Sequence, residues 1–284
     1  MVNIVSSADE YHRIPEYLKK DGYAVIRGIY SLDECRTLRE TIDAERLSPS
    51  GSHPGDQFVL ANAVHLLPAL EDYVSSRNLI KVLNHAFSNN PYCFTSHSDI
   101  HVNSVSGWHK DDGKGKYFES CDDYTSSSDC QVFKVAFYLQ DCSTSGGLSV
   151  KAASHASGYS KFGLDYNSDH PEVYLPSLPG DIVIFDVRIT HKGDSNSTTA
   201  LSDRILRKLG LVKDKKLDYQ RFAMFFSFGL ENKYTYVFSE KNMERQIKDL
   251  GNTDSSSIPP SLSKKLKSQN VGTRDFGELA KSIV

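Results

Sequence analysis

Apolar and polar positions follow two different periods along the chain, and the period changes near residue 92. Before that point the spacing is helical. Tyr11, Ile14, Tyr17 and Leu18 share one face of a helix predicted over residues 8–20, which Asp21 and Gly22 end. Residues 23–29 read as a short strand. Ser31 to Glu34 is a capping box, in which the two side chains satisfy exposed amides of a first turn, so a helix starts there and runs to about Ala44. Residues 47–56, rich in Ser, Gly and Pro, read as a loop. Two more helices are predicted near residues 67–76 and 79–87, with Pro68 in a first turn, and Asn89 to Pro91 stops the pattern.

From Tyr92 onward the period is that of strands, beginning with Phe94, Ile100, Val102 and Val105. A polar stretch with interleaved aromatics follows at residues 112–129. Such a loop in a compact domain is functional or disordered. Residues 131–139 are a clear strand, with Val132, Phe133, Val135, Phe137 and Leu139. Gly146 to Val150 is a turn and a strand. Pro179, Gly180 and Asp181 form a turn that launches a β-rich run over residues 182–189, closing on His191. Residues 200–212 are helix-patterned, residues 221–228 are the last strong strand, and residues 239–250 are helical. Helices first and then about eight strands is an α+β arrangement with a β-sandwich or barrel core. One domain is expected over residues 1–250, helical to residue 90 and β-rich over residues 91–230, with a partly ordered tail at 251–284.

Composition narrows the class. Among 284 residues, 39% are hydrophobic, enough for a sizeable core, and the formal net charge of −3 gives no basis for a nucleic-acid binder. No apolar run approaches membrane-spanning length, and no basic segment followed by an apolar one marks a signal peptide. The five cysteines, an odd number without a C-x-x-C pair, read as reduced thiols, with a Cys121–Cys130 bridge as second choice. A cytoplasmic protein, monomeric or homodimeric, acting on a small molecule is the expectation.

The candidate chemistry lies in histidines. Two histidines and one carboxylate on one face suit ferrous iron and leave the opposite face open. In extended backbone, residues i and i+2 project to the same side, so H-x-D supplies two ligands together. Two such triplets occur, His97 with Asp99 and His109 with Asp111. His97 sits inside a strand-like run, as a packing or surface residue. His109 follows Ser106, Gly107 and Trp108 at a strand end that opens into the long loop, where ligands belong. His109 and Asp111 are therefore chosen, with His191 arriving from the later strand.

The stretch Ser106 to Asp111 (SGWHKD) resembles the G-x-W-H-x-D motif of the phytanoyl-CoA dioxygenase family. Four further segments agree in order. Asp21 to Gly28 resembles the family's D-G-Y-V-V-L-R-G. Gly146 to His155 resembles G-x-L-x-V-x-P-G-S-H, with Ala152 and Ala153 replacing Pro-Gly. Pro179 to His191 resembles the segment ending on the distal iron histidine, after which Asn196 stands where an asparagine is common. Arg221 opens the last core strand. The resemblance spans about residues 16–228.

It implies a double-stranded β-helix, a cupin-like jelly roll with N-terminal and flanking helices, and dependence on Fe(II), 2-oxoglutarate and O2. It implies that His109, Asp111 and His191 hold iron and that an arginine pairs with the distal carboxylate of 2-oxoglutarate. The family's usual offset falls on Arg204 and Arg207. Arg221 is preferred because it opens a β-patterned run, whereas the other two lie in helix-patterned sequence read as an insertion at 198–219. Asn103 is a further candidate toward the co-substrate, and Lys134 lies on a strand able to line the pocket. Trp108, Lys110, Lys116 and Lys192 are candidates toward the substrate. The loop 112–130 and the insertion are candidate lids, whose basic residues suggest an anionic molecule. His155 is read as supporting a turn.

Related halogenases keep a small residue at the position of Asp111, so Asp111 implies hydroxylation, desaturation or oxidative cyclisation. A natural-product or amino-acid-derived intermediate is the expected substrate. A fatty acyl-CoA hydroxylase, a non-catalytic jelly-roll binding protein and a cupin metalloenzyme without 2-oxoglutarate are the alternatives.

Overall fold

The strand Phe222–Leu230 sets the centre of the molecule, because both of its faces are buried and each has a different neighbour. A computed structural model describes residues 2–46, 57–158, 169–193, 220–250 and 257–283. Eleven strands are described: β1 (Ile4–Val5), β2 (Tyr23–Ile26), β3 (Phe58–Leu60), β4 (Tyr92–Val102), β5 (Val132–Tyr138), β6 (Leu148–Lys151), β7 (Glu172–Leu175), β8 (Ile182–Asp186), β9 (His191–Gly193), β10 (Phe222–Leu230) and β11 (Gly272–Thr273). They make an eight-stranded sheet in the order β1-β2-β8-β5-β10-β4-β11, with β3 also on β4, and a three-stranded sheet β7-β6-β9.

Side chains alternate across a strand, so the large sheet has two distinct faces. Phe222, Met224, Phe226 and Phe228 of β10 join Phe133, Val135 and Phe137 of β5 and Ile182 and Ile184 of β8 in one buried cluster. Helices cover that face: α1 (Ile14–Asp21), α2 (Leu32–Arg46), α3 (Ala63–Leu66), α4 (Glu71–Val74) and α5 (Arg77–Ala86), through residues such as Leu18, Leu38, Val64, Val74 and Leu83. On the opposite face, Ala136 and Tyr138 of β5, Val183 and Phe185 of β8 and Ala223 of β10 meet Leu148, Val150 and Leu175 of the small sheet. Two facing sheets with helices outside the larger one form the cupin-like jelly roll.

Local signals are realised in detail. Ser31 N–H donates to Glu34 Oε2 at 2.7 Å and Glu34 N–H to Ser31 Oγ at 3.2 Å, the capping box that starts α2. Gly180 has φ +94°, and a Cβ there would stand 2.1 Å from Tyr30 O, so only glycine fits the turn before β8. Asp181 closes that turn by accepting from Leu178 N–H at 2.8 Å and Gly28 N–H at 2.9 Å.

Several expectations are corrected. The β-run ahead of His191 is broken. Asp186 accepts from Arg188 N–H through Oδ1 and from Ile189 N–H through its carbonyl, and that turn hands the chain to the small sheet. The loop after His109 is packed rather than open: Phe118 is 1% exposed and stacks on Tyr124 and Phe238. Phe238 belongs to α6 (Lys233–Leu250), which starts earlier than the pattern suggested because Asn232 Oδ1 accepts from the amides of Tyr234 and Thr235. In the C-terminal segment, α7 (Pro260–Lys267) buries Leu262 and Leu266 in the main core, β11 pairs with β4, and Phe276 and Ala280, next to and within α8 (Gly277–Ile283), pack on Met243 and Ile247. The helix expected over residues 200–212 lies outside the described residues. All five cysteines are buried and free, so the Cys121–Cys130 bridge is absent. No helix among the described residues is long and apolar enough to cross a membrane.

Candidate metal centre

The two segments carrying the candidate ligands are laced together by their backbones. His109 N–H donates to His191 O at 2.9 Å, His191 N–H to His109 O at 2.8 Å, and Asp111 N–H to Val187 O at 2.8 Å. His109 Nδ1 bonds Gly107 O at 2.8 Å, and His191 Nδ1 bonds Ile189 O at 3.0 Å. Each Nδ1 faces an acceptor and so carries the proton, which leaves both Nε2 lone pairs to bind a metal. The rings are 4.2 Å apart. Asp111 Oδ1 lies 3.5 Å from His109 Nε2, and Oδ2 lies 3.4 Å from His191 Nε2. One ligand atom from each of the three falls within 4.8 Å of the others.

Electrostatics prepare these groups for a cation. Burial alone would raise the Asp111 carboxyl, but Lys134, His191 and His109 outweigh it and hold the group well below the usual carboxylate range. Burial, reinforced by His109, pushes the His191 imidazole down to about 3, so it is neutral with its lone pair available. Burial lowers His109, and its hydrogen bond and attraction to Asp111 overcome that and raise it. Lys134 Nζ is 2.7 Å from Asp111 Oδ2 as an ion pair, yet Oδ2 is buried with no aligned hydrogen bond. Two imidazole nitrogens beside a carboxylate whose Oδ2 is under-satisfied fit a divalent ion of intermediate softness such as Fe(II).

The triad opens on a cavity of about 390 Å³. Arg221 lines the same cavity and is 2% exposed. Its Nε donates to Gly146 O at 2.8 Å and its Nη1 to Ser104 O at 3.0 Å, with the guanidinium 5.1 Å above the Tyr138 ring. No carboxylate among the described residues pairs with it. Arg204 and Arg207 lie outside the described residues.

Other candidates fall elsewhere. Asn103 uses its Oδ1 on Arg221 N–H at 2.9 Å, so it positions the arginine's backbone. Lys110 lines the cavity with its stem, but its buried Nζ donates to Ser154 O at 2.6 Å and Ser157 O at 2.8 Å. Lys116 is exposed and, with Trp108 and Lys192, is not among the described residues lining the cavity. Trp108 sits between Lys151 at 5.0 Å and Lys192 at 4.6 Å, and Lys192 pairs with Glu172 at 2.7 Å. His155 Nε2 bonds Lys19 O at 3.2 Å, supporting the end of α1.

Sequence reasoning passed over the opposite wall. His97, Asp99 and His101 of β4 line the cavity together with Asn242, Arg245 and Gln246 of α6. His97, read as a packing or surface residue, is packed at 3% exposed and also lines the cavity. The available signal was three ionisable residues at i, i+2 and i+4, which share one face of a strand.

Comparison with known proteins identifies the family and the fold. The family described as Phytanoyl-CoA dioxygenase (PhyH) matches residues 18–205, a span that holds the triad and ends before Arg221. No curated protein matches the sequence. Among solved structures, the epimerase SnoN in complex with Fe3+, alpha-ketoglutarate and nogalamycin RO superposes with a TM-score of 0.56 at 14% identity, covering 79% of this chain and 85% of that one. AviO1 from Streptomyces viridochromogenes Tue57 gives 0.54 at 16% identity, over 80% of this chain and 97% of that one. EvdO2 from Micromonospora carbonacea var. aurantiaca, complexed with 2-oxoglutarate, gives 0.50 at 16% identity, over 76% and 89%. Likeness at such identities speaks for the fold alone.

Proposed function

The chain belongs to the phytanoyl-CoA dioxygenase family of iron- and 2-oxoglutarate-dependent oxygenases, and from that premise we propose that His109, Asp111 and His191 hold Fe(II) and that Arg221 takes the distal carboxylate of 2-oxoglutarate, for the oxidation of a small organic molecule. One observation carries this reading. A His-Asp-His cluster faces a cavity that also holds a buried guanidinium without a carboxylate among the described residues. A planar fork with unused N–H groups matches a carboxylate through parallel hydrogen bonds.

Iron with 2-oxoglutarate and oxygen supplies a strong oxidant while 2-oxoglutarate is converted to succinate and carbon dioxide. The protein's residues do the rest. The backbone lacing of His109 to His191 fixes the spacing of the imidazoles. Gly107 O and Ile189 O fix their tautomers. Lys134 holds Asp111 in the charged form, and Phe185, 4.8 Å from the His191 ring, keeps water from that side.

The reaction is hydroxylation, desaturation or oxidative cyclisation of a natural-product or amino-acid-derived intermediate. The polar wall of His97, Asp99 and His101, which a fatty chain would desolvate without return, supports a polar small molecule over an acyl-CoA. Lys110 and Lys192 are engaged by other groups and Lys116 lies off the cavity, so none of the three favours an anionic substrate. The test is anaerobic addition of Fe(II) and 2-oxoglutarate, followed by the visible metal-to-ligand charge-transfer band. The band is expected in the wild type and absent in His191→Ala. Iron binding without a band would mean a metal centre of another kind, and no iron binding would leave a binding protein.

A further inference from the structure

The wall of the cavity formed by β4 and α6 is built, and the proposed iron chemistry makes no use of it. Asp99 Oδ1 accepts from Asn62 N–H and from Gln246 Nε2, each at 3.2 Å, and Oδ2 lies 3.0 Å from His97 Nε2. His97 Nδ1 in turn faces Ser227 Oγ at 3.0 Å. Asp99 therefore fixes the Gln246 amide one way round, since turning it over would set oxygen against carboxylate. That leaves Gln246 Oε1 as an acceptor that is buried and without a partner, on a residue 1% exposed that lines the cavity. Buried amide oxygens are ordinarily paired, so an orphan beside the paired Asp99 and His97 marks a place for a ligand's donor.

His101, two positions further along the strand, lines the same wall. Its ring meets Phe225 edge-on at 5.3 Å and makes no hydrogen bond within the described residues. A neutral imidazole offers one donor and one acceptor. The charges nearby set the rest of the specificity. Asp99 is already engaged by His97 and Lys134 by Asp111, so these cavity-lining charges are matched within the protein and leave no partner for a further ion on this wall.

We propose that Gln246, oriented by Asp99, and His101 form the substrate subsite for an uncharged, hydroxyl-bearing portion of the molecule. A hydroxyl donates and accepts at once, as this pair requires. The inference rests on the cavity being the oxygenase site, and the test separates the two.

The full chain is loaded anaerobically with Fe(II) and 2-oxoglutarate, and the charge-transfer band is recorded first. Three probes are then added: myo-inositol, adipate and 1,5-diaminopentane. Broadening of their proton resonances by the iron reports binding close to it. Inositol is expected to broaden saturably and the charged probes not. Gln246→Leu is expected to weaken inositol about tenfold, the loss of roughly one hydrogen bond, with the band unchanged. If that variant fails to melt cooperatively, His101→Leu takes its place with the same expectation. Broadening by the charged probes at equal or lower concentration, no broadening by inositol, or inositol binding unchanged in the variants would overturn the subsite while the band stands. Absence of the band would overturn the oxygenase reading and this one with it.

Discussion

Replacing Arg221 by methionine tests the co-substrate assignment from two directions at once. The guanidinium is 2% exposed and bonded to two main-chain carbonyls, Gly146 O and Ser104 O. If its partner is the distal carboxylate of 2-oxoglutarate, removing it strands a buried anion. Truncating one member of a buried, hydrogen-bonded charge pair costs about 2–5 kcal/mol. Taking about 3 kcal/mol, the dissociation constant for 2-oxoglutarate rises about 100-fold. Titrating the charge-transfer band in Arg221→Met reads this directly, and Arg221→Lys, which keeps charge but loses the fork, falls between. Stability gives the second reading. Breaking a structural buried ion pair costs about 3–5 kcal/mol. With no carboxylate to strand but two carbonyls left without their donor, ligand-free Arg221→Met should lose about 1–3 kcal/mol, while the stabilisation that saturating 2-oxoglutarate gives the wild type is lost. A shift in the dissociation constant below about threefold would return the assignment to Arg204 or Arg207. A ligand-free loss above about 3 kcal/mol would mean that Arg221 is a structural residue.

Three further outcomes are expected. Zn(II), a redox-inert stand-in, should raise the melting temperature of the wild type, and in His191→Ala the affinity read by that shift should fall by about 100-fold or more, beyond what a lost supporting partner costs. Phe226, fully buried on β10, should cost about 3–5 kcal/mol on Phe226→Ala, measured as a shift of the urea midpoint. Ala153 is held at φ +64°, where the family's motif has glycine; left-handed backbone costs an alanine about 1–2 kcal/mol, glycine's entropy returns about 0.5–1, and Ala153→Gly should raise the melting temperature by about 1–3 °C.

Period and turn chemistry carried most of the fold in the sequence. The apolar runs of β5, β8 and β10 are near-continuous because helices cover one face of the sheet and the small sheet covers the other, and the capping box at Ser31 is a purely local signal. The segments that misled have contacts that are not local. Nothing between Asp112 and Asp129 announces that Phe118 and Tyr124 stack beneath α6, because Phe238 is supplied more than a hundred residues later. The C-terminal segment looked like a tail because β11 contributes only Gly272 and Thr273 to the sheet, while its anchors Leu262 and Leu266 come from a short helix. The break before His191 was hidden for a different reason. Val187 and Ile189 are buried like strand residues, but Asp186 bends the chain between them.

The triad was legible because its members sit in sequence patterns that also fix the backbone. Choosing between His97 with Asp99 and His109 with Asp111 turned on context, and the context was half right. A strand interior does hold His97, and it does pack. The error was to treat packing and facing the cavity as alternatives. In a jelly roll the inner face of the large sheet does both, because that face is the wall of the site. Ser227, Lys134 and Arg221 show the same logic. They occupy inward positions on β10, on β5 and immediately before β10, and each places a polar group where pure packing would favour an apolar one. Polar residues at inward positions of these strands line the cavity, and by that rule Asp99, His101 and, through its bond to Asp99, Gln246 stand in its wall beside the proposed iron ligands.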